Sequence, residues 1–158
     1  MPDELQYRHV MSFFATGVTV VTSRTPDGRP CGLTANSIAS VSLKPLLVLV
    51  CVNREAASHA CIVEGGAFAV SILGYGHEGL ARRFAAGDRH ARFEDLPYQT
   101  RTTGSPVLDD ALAWLDCRVQ NVHQAGDHSI VVGEVVACDA REGEPLVFYR
   151  GEYRGMTR

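Results

Sequence analysis

The sequence predicts a mainly β fold, a small antiparallel barrel with a few helices at its periphery. Short runs rich in β-branched and apolar residues recur along the chain, and most are separated by turns rather than by helices. A doubly wound parallel sheet is therefore disfavoured, because that architecture alternates strands with helices. The 158 residues are expected to form one domain, 1–158, which is long enough to bury a sizeable core.

The N-terminal third is predicted to contain one helix, a hairpin and two further strands. The helix starts near Asp3, whose carboxylate favours a helix N-terminus, and ends near Gly17. Leu5 and Phe14 fall roughly on one side of it. A Pro26-Asp27-Gly28 turn joins the strands of the hairpin. The predicted strands are residues 18–23, 31–35, 40–42 and 46–53.

The remaining two thirds are predicted to contain two short helices and four strands. The helix at 56–64 is stopped by Gly65 and Gly66. The helix at 78–86 places Leu80 and Phe84 on one face. A polar irregular loop covers residues 87–105. The predicted strands are residues 67–73, 112–120, 130–138 and 146–149.

Composition and charge exclude several classes of protein. The net charge of −3 gives no electrostatic reason to expect a nucleic-acid partner. The longest purely apolar run, residues 46–52, is far too short to span a membrane. Residues 1–10 lack the apolar core of a secretory leader, so a cytoplasmic location is expected.

Five cysteines occur, an odd number, and no CxxC motif is present. Most of them lie among apolar neighbours. We therefore expect reduced, mostly buried thiols of a cytosolic protein rather than a disulfide framework. The cysteines are Cys31, Cys51, Cys61, Cys117 and Cys138.

A cluster of short polar side chains precedes the predicted strand at 46–53, and Arg54 follows it. Thr34, Asn36, Ser37 and Ser40 offer hydroxyl and amide groups that can bind a phosphate together with backbone N–H groups. Arg54 can add a charge-assisted contact. The alternative is that these residues cap turns, and spacing alone favours that interpretation. Neither a GxGxxG nor a GxxxxGK[ST] motif is present, so any nucleotide would need such a cluster of donors.

A second candidate is His128, which follows Gly126 and Asp127 in a turn between two predicted strands. At the mouth of a barrel this histidine could bind a carboxamide or stabilise charge on a ring. The alternative is a loop histidine paired with Asp127. The other histidines are scattered without metal-ligand spacing, and GxSxG is absent, so metal and hydrolase chemistry are disfavoured.

Six segments of the sequence, in the correct order, carry a resemblance over nearly the whole chain. In these segments the sequence resembles the flavin reductase-like, FMN-binding split-barrel family. That family includes the reductase components of two-component flavin-dependent monooxygenases. The segments are FATGVTVVTS at 14–23, the stretch 32–54, FAVSIL at 68–73, LARRFA at 80–85, LDCRV at 115–119 and GDHSIVVGEV at 126–135.

The resemblance implies an antiparallel, Greek-key-like split barrel and a set of ligand contacts. His128 is expected to be the catalytic residue and, with Tyr153, to bind the nicotinamide. No metal is expected. The flavin-binding residues carried over by position are Thr34, Ala35, Asn36, Ser37, Ser40, Val41, Cys51, Val52, Asn53, Arg54, Ser58, Phe84 and Arg89. Of these, Arg54 and Ser58 are expected at the phosphate end, and Phe84 and Arg89 beside the adenine or phosphate.

The implied reaction is hydride transfer from NADH or NADPH to FMN, with FAD as a further possibility. A homodimer is implied, and so is a separate flavin-dependent monooxygenase that receives the reduced flavin. The alternative is a flavin- or tetrapyrrole-binding module of the same barrel that has no turnover.

The sequence departs from the family's pattern in three places. Ala56 and Ala57 stand where many relatives have serines, which removes two hydroxyl donors and leaves Ser58 alone. Ser71 replaces a common asparagine and Leu46 a frequent proline. We expect the last two differences to be structural.

Overall fold

The computed structural model describes residues 1–86, 88–89 and 91–156, and it is built mainly from strands. The helices are α1 (Glu4–Met11), α2 (Ala57–Gly65) and α3 (Glu78–Ala85). The strands are β1 (Thr16–Gly17), β2 (Thr19–Arg24), β3 (Pro30–Ala35), β4 (Ile38–Leu43), β5 (Leu46–Asn53), β6 (Ala67–Ile72), β7 (Tyr98–Thr100), β8 (Pro106–Leu108), β9 (Ala113–Ala125), β10 (His128–Ala140), β11 (Val147–Tyr149) and β12 (Glu152–Arg154).

One antiparallel sheet of seven strands dominates, in the order β3-β2-β6-β9-β10-β5-β4. Its two edge strands are consecutive in sequence, because β3 ends at Ala35 and β4 begins at Ile38. Three Cα–Cα steps reach at most about 11 Å, whereas six flat strand spacings would separate the edges by about 29 Å. The sheet must therefore curl until its edges lie close to each other without pairing, which confirms the antiparallel barrel. The gap between β3 and β4 is called the split below.

The core fills the inside of this curled sheet. Alternate residues of β5, Val48, Val50 and Val52, are buried and pack with Phe68 of β6 and Val131 of β10. This alternation is the period of a strand that is buried on one face. A second apolar cluster lies beneath α3 and contains Val18, Leu73, Ala81, Phe84, Leu108 and Leu146.

The hairpin of β9 and β10 is longer than the sequence predicted. The strands extend the predicted 112–120 and 130–138 to a two-residue turn of Gly126 and Asp127, in which Gly126 has a φ of 62°. All residues from 120 to 125 are exposed. Residues 120–125 do not alternate between apolar and polar side chains. The sequence therefore carries no strand signal for this part of the hairpin.

Helices α2 and α3 lie within one residue of their predicted bounds, and Gly66 ends α2 in the left-handed conformation. Helix α1 starts as predicted, where the Asp3 carboxylate accepts a hydrogen bond from the Gln6 backbone N–H at 2.7 Å. It ends at Met11 rather than near Gly17, and none of its residues is buried.

Part of the segment predicted as irregular is ordered into a strand. Strand β7 lies within 87–105 and pairs with β8, which follows that segment. Near the C-terminus, β12 pairs with β11. These strands have three residues each, too few to give a periodic pattern. Ser71, which differs from the family's asparagine, is structural as expected, because its Oγ accepts a hydrogen bond from the Leu108 N–H.

The expectation of reduced cysteines is wrong for one pair, since Cys31 of β3 and Cys61 of α2 form a disulfide. Their Cα atoms lie 6.6 Å apart across the packed helix and strand, although 30 residues separate them in sequence. Spacing could not reveal a contact that only the packing of α2 on β3 creates. Cys51, Cys117 and Cys138 are free thiols. Burial, together with the Asp116 charge, raises the pKa of Cys117 to about 12.

Membrane insertion through a helix finds no support in the part of the chain that the structure describes. None of its helices has the length and apolar character required to cross a bilayer.

Candidate functional site

The split brings the end of β3 close to the end of β5. The register between β4 and β5 begins at Ile38 and Val50, so β5 runs three residues past its neighbour. Ser37 covers the first of these: the Cys51 N–H donates to the Ser37 carbonyl at 3.1 Å, and Ser37 Oγ donates to the Cys51 carbonyl at 2.8 Å. Beyond that contact, Val52 and Asn53 continue along the opening. The end of β5, with residues 34–37 and His128 beside it, is called the split rim below.

The short polar side chains of the split rim have different roles. Thr34 Oγ1 donates to the Ala81 carbonyl and fixes β3 to α3. With Ser37 bonded to Cys51, these two hydroxyls satisfy backbone, as the turn-capping alternative proposed. Asn36 and Ser40, by contrast, have exposed side chains. These two remain the side-chain groups that a ligand can reach.

Two apolar residues expected at the flavin differ in exposure. Ala35 is buried in the barrel core, and its carbonyl accepts a hydrogen bond from Thr19 Oγ1 at 2.7 Å. Val41 lies at a β-bulge between Ser40 and Ser42 and is exposed. Only Val41 therefore presents its side chain at the surface.

His128 stands directly across from Asn53 in the register of β10 and β5. Its Nδ1 lies 2.7 Å from Asp127 Oδ1, and the side chain is 42% exposed. With Nδ1–H donating to Asp127, Nε2 is left for a ligand. The hydrogen bond from His128, reinforced by its positive charge, lowers the pKa of Asp127 below its ordinary value.

Arg54 holds this turn of the hairpin in place. Its Nη1 donates to the Gly126 carbonyl at 3.1 Å, and its backbone N–H donates to the Asp127 carbonyl at 2.9 Å. The guanidinium thus lies at the histidine end of the site. The expected contact between Arg54 and a flavin phosphate stays a prediction.

A cavity of about 290 Å³ lies against the first half of β3. We call it the basic cavity, since two arginines line it. The disulfide forms part of its wall, next to Ser58 at the first turn of α2. The lining residues are Thr25, Arg29, Pro30, Cys31, Gly32, Ala57, Ser58, Cys61, Arg89 and Phe93.

Arg29 and Arg89 give the basic cavity two guanidinium groups that fit an anion such as a phosphate. The Gly32 carbonyl accepts hydrogen bonds from Ser58 Oγ at 3.0 Å and from Arg92 Nη1 at 2.8 Å. Arg92 Nε is buried and has no partner among the described residues. Burial, and then the charge of Arg89, lowers the pKa of Arg92. Arg92 lines a different pocket together with Asp88, and the Asp88 charge opposes this decrease.

Helix α2 connects the two parts of the site. Ser58 lines the basic cavity, whereas the next residue, His59, places Nε2 2.8 Å from Ser129 Oγ. Ser129 directly follows His128 of the split rim. The first turn of α2 therefore contacts both the basic cavity and β10, the strand that carries His128.

Two aromatic residues expected at the site, Phe84 and Tyr153, are packed against other aromatic rings. Phe84 is 1% exposed, and its ring meets the edge of Phe93 at a centroid distance of 5.1 Å. Phe93, not Phe84, is the ring that borders the basic cavity. Tyr153 packs on Phe148 and under the Arg82 guanidinium, which places it beside α3.

Sequence reasoning missed Arg29, Arg92 and Phe93. The last two lie in the segment interpreted as an irregular loop. The only signal for them was the recurrence of arginine at 89 and 92 after the α3 helix, a weak indication of a basic surface.

An antiparallel split barrel with a basic cavity against β3 and an exposed strand end at the split rim defines a class of β-barrel protein that is distinct from the Rossmann fold. The model of the flavin reductase like domain family matches residues 11–157. The chain belongs to this family.

Curated relatives cover nearly all of the chain. An FMN reductase (NADH), SmoA, of Agrobacterium fabrum is 41% identical over 152 residues, which are 96% of this chain and 86% of the relative. The reductase component of a 4-nitrophenol 4-monooxygenase/4-nitrocatechol 2-monooxygenase of Rhodococcus opacus is 40% identical over 96% of this chain and 80% of its own length.

A solved structure shares the fold closely. The NADH:FAD oxidoreductase SgcE6 of Streptomyces globisporus, in complex with NAD and FAD fragments, is 38% identical and superposes with a TM-score of 0.91. The match covers 98% of this chain and 93% of that one.

We predict that His128→Ala raises the pKa of the Asp127 carboxyl towards its ordinary value of 3.8, since both the hydrogen bond and the nearby charge are lost. A carboxyl-carbon NMR titration measures this change. Because folding lowers the pKa of Asp127, the pair stabilises the fold when the pH is above the ordinary pKa of the carboxyl group. This contribution disappears as the pH falls through the pKa of the folded state. His123→Ala, on the same hairpin, is the control. An unchanged Asp127 titration in His128→Ala would contradict the pairing.

Proposed function

We propose that this chain is an NAD(P)H-dependent flavin oxidoreductase. It transfers hydride from reduced nicotinamide to FMN or FAD and supplies the reduced flavin to a separate flavin-dependent monooxygenase. The observation that carries the proposal is the register that places His128 opposite Asn53 at the open end of β5. The family and the names of the relatives support the same reaction.

A bound flavin supplies the hydride acceptor and the nicotinamide nucleotide supplies the hydride, so this chemistry belongs to the cofactors. The protein's task is to orient the two and to exclude water. In our proposal the end of β5 beyond the Ser37–Cys51 contact directs backbone groups at the flavin ring and stabilises negative charge there. His128 Nε2 binds the nicotinamide carboxamide.

The basic cavity is proposed to hold the phosphate-bearing end of the flavin. Arg89 and Arg29 line it and can donate charge-assisted hydrogen bonds, whereas the hydroxyl of Ser58, which also lines it, donates to the Gly32 carbonyl. Arg92 supports the cavity through the Gly32 carbonyl. Phe93 gives an apolar wall against which a further ring can pack.

The affinity of the protein for the flavin is proposed to be moderate. Ala56 is the N-cap of α2 and makes no side-chain capping bond, and Ala57 lines the basic cavity without a hydroxyl. Serines at these positions would add donors. Fewer donors suit a reductase whose reduced product must leave for another enzyme.

The reaction is tested by mixing the purified protein with NADH or NADPH and with FMN or FAD under anaerobic conditions. We expect the flavin absorbance at about 450 nm to bleach as the nicotinamide is oxidised. A protein that binds flavin but never bleaches it would instead be the non-catalytic module.

We predict that His128→Ala raises the KM for the nicotinamide nucleotide about tenfold, corresponding to the loss of roughly 1.4 kcal/mol of binding, and changes the KM for flavin much less. Asn36→Ala should show the opposite pattern because we propose that its exposed amide binds the flavin. Steady-state kinetics with each substrate varied in turn measures both constants. His123→Ala is the matched control. Equal effects on the two constants would remove His128 from the nicotinamide site.

We also propose that the chain is a homodimer with a cytoplasmic location, where reduced nicotinamide is available. Helix α1 buries none of its residues, and Leu5, Val10 and Phe14 are 79%, 61% and 70% exposed. The edge strand β4 adds exposed Val41 and Leu43. Exposed apolar groups of this size on a helix and a strand edge favour a partner surface, and a second copy is the occupant we propose.

Light scattering coupled to size-exclusion chromatography tests the dimer. We expect a mass of twice the 17.1 kDa of one chain. The double variant Leu5→Glu/Phe14→Glu should reduce the measured mass to that of the monomer, since burying two carboxylates in the interface costs several kcal/mol. Met156→Glu places the same charge at another exposed apolar residue and should leave the mass unchanged. A wild-type protein with the mass of one chain would contradict the proposal.

A further inference from the structure

We propose that Cys31 and Cys61 are a reversible redox pair whose disulfide tightens the basic cavity around the phosphate-bearing end of the flavin. The disulfide is closed by hydrogen peroxide and opened by a dithiol. This inference rests on the proposed flavin reductase function, and it adds a covalent modification site that controls how firmly the flavin is held.

The disulfide lies in the wall of the basic cavity. Cys31 and Cys61 line that cavity together with Ser58 and Arg89. Cys31 precedes Gly32, whose carbonyl accepts the Ser58 hydroxyl at 3.0 Å. Cys61 is three residues after Ser58 and so shares its face of α2. The covalent bond and the Ser58 hydrogen bond therefore hold the same face of the helix against the same stretch of β3.

The first turn of α2 depends on such ties. Its N-cap, Ala56, provides no side-chain hydrogen bond. Ile62, fully buried in the barrel core, anchors the helix whether or not the disulfide is present. We therefore expect reduction to loosen the position of Ser58 without unfolding the barrel. A loosened wall must be ordered again when the ligand binds, which lowers affinity.

The surroundings of the pair suit redox chemistry. Cys31 is half-buried at an open cavity, and Arg29 and Arg89 line the same cavity. Positive charge near a thiol favours the reactive thiolate. Cys117, in contrast, is fully buried, and burial raises its pKa to about 12, which makes it inert. In a reducing compartment a disulfide is most often catalytic or redox-sensing.

The oxidant is a by-product of the proposed activity. Reduced flavin that is released without reaching a monooxygenase is oxidised by dioxygen, which is reduced to hydrogen peroxide. The Cys31 thiolate attacks one peroxide oxygen, the O–O bond breaks, and hydroxide leaves to take up a proton as water, giving a sulfenic acid. The Cys61 thiol attacks that sulfur, the S–S bond forms, and a second water leaves.

The complete step balances as two thiols and one hydrogen peroxide giving one disulfide and two waters. A dithiol reverses it by exchange, becoming a disulfide itself as both cysteines regain their protons. The oxidised form, with the tighter cavity, should release reduced flavin more slowly. Uncoupled turnover would thereby limit its own production of peroxide.

The experiment compares two forms of the wild-type protein, one treated with hydrogen peroxide and one with dithiothreitol, each freed of reagent without air. Alkylation followed by peptide mass spectrometry reports the state of Cys31 and Cys61. Fluorescence titration gives the Kd for FMN and FAD. We expect the reduced form to bind flavin roughly tenfold more weakly, because ordering of the wall opposes binding. Its KM for flavin should rise in parallel.

Variants separate this pair from the other thiols. Cys31→Ser/Cys61→Ser should bind flavin as weakly as the reduced wild type does, and its affinity should not change with hydrogen peroxide or dithiothreitol. Cys138→Ser, which removes an exposed free thiol, should respond like the wild type. Since the wild type itself is compared in two redox states, the result does not depend on whether the double variant folds.

Two results would overturn the inference alone. Cys31 and Cys61 that remain open to alkylation after peroxide treatment would show that no pair forms. Equal flavin affinity in two mapped redox forms, both of which oxidise NADH, would show that the pair controls nothing and would leave the reductase function intact. If neither form binds FMN or FAD or oxidises a nicotinamide, the proposed function fails and the inference fails with it.

Discussion

The two-residue link between β3 and β4 is the constraint on which the site depends. Asn36 and Ser37 alone connect the two edges of a seven-stranded sheet, so the sheet has to curl into a barrel whose edges stop short of pairing. The same link releases the end of β5 from its neighbour after Val50. A strand end that presents backbone groups at the opening, beside small polar side chains, is thus a consequence of barrel closure.

Some members of the polar cluster satisfy the backbone of the fold, and others remain exposed. Ser37 and Thr34 donate their hydroxyls to backbone carbonyls, whereas Asn36 and Ser40 stay exposed. The turn-capping interpretation and the ligand-binding interpretation of the sequence are therefore compatible. Arg54 likewise supports the site through backbone, because it fixes the His128 turn from the strand that faces it. Helix α2 then joins this end to the basic cavity through Ser58 and His59.

Local signals in the sequence were sufficient for the central elements and for the ordered family segments. Gly66 predicted the end of α2, and the spacing of Leu80 and Phe84 predicted α3. Both signals depend only on residues that are close in sequence. The outer half of the β9–β10 hairpin was missed because both its faces meet solvent. The Cys31–Cys61 bond and Phe93 at the basic cavity, and the hydrogen bond from Arg92 to the Gly32 carbonyl, were missed because they arise from packing between distant segments, which leaves no local pattern in the sequence.

Hydrogen exchange with and without saturating FMN tests most directly whether the split rim and the basic cavity form one flavin site. Exchange is read by mass spectrometry over the whole chain. The account predicts slower exchange in residues 34–37 and 51–59 and in the turn at 126–128, with no change at the distant turn of Asp109 and Asp110. Protection confined to other segments, or none at all, would contradict it.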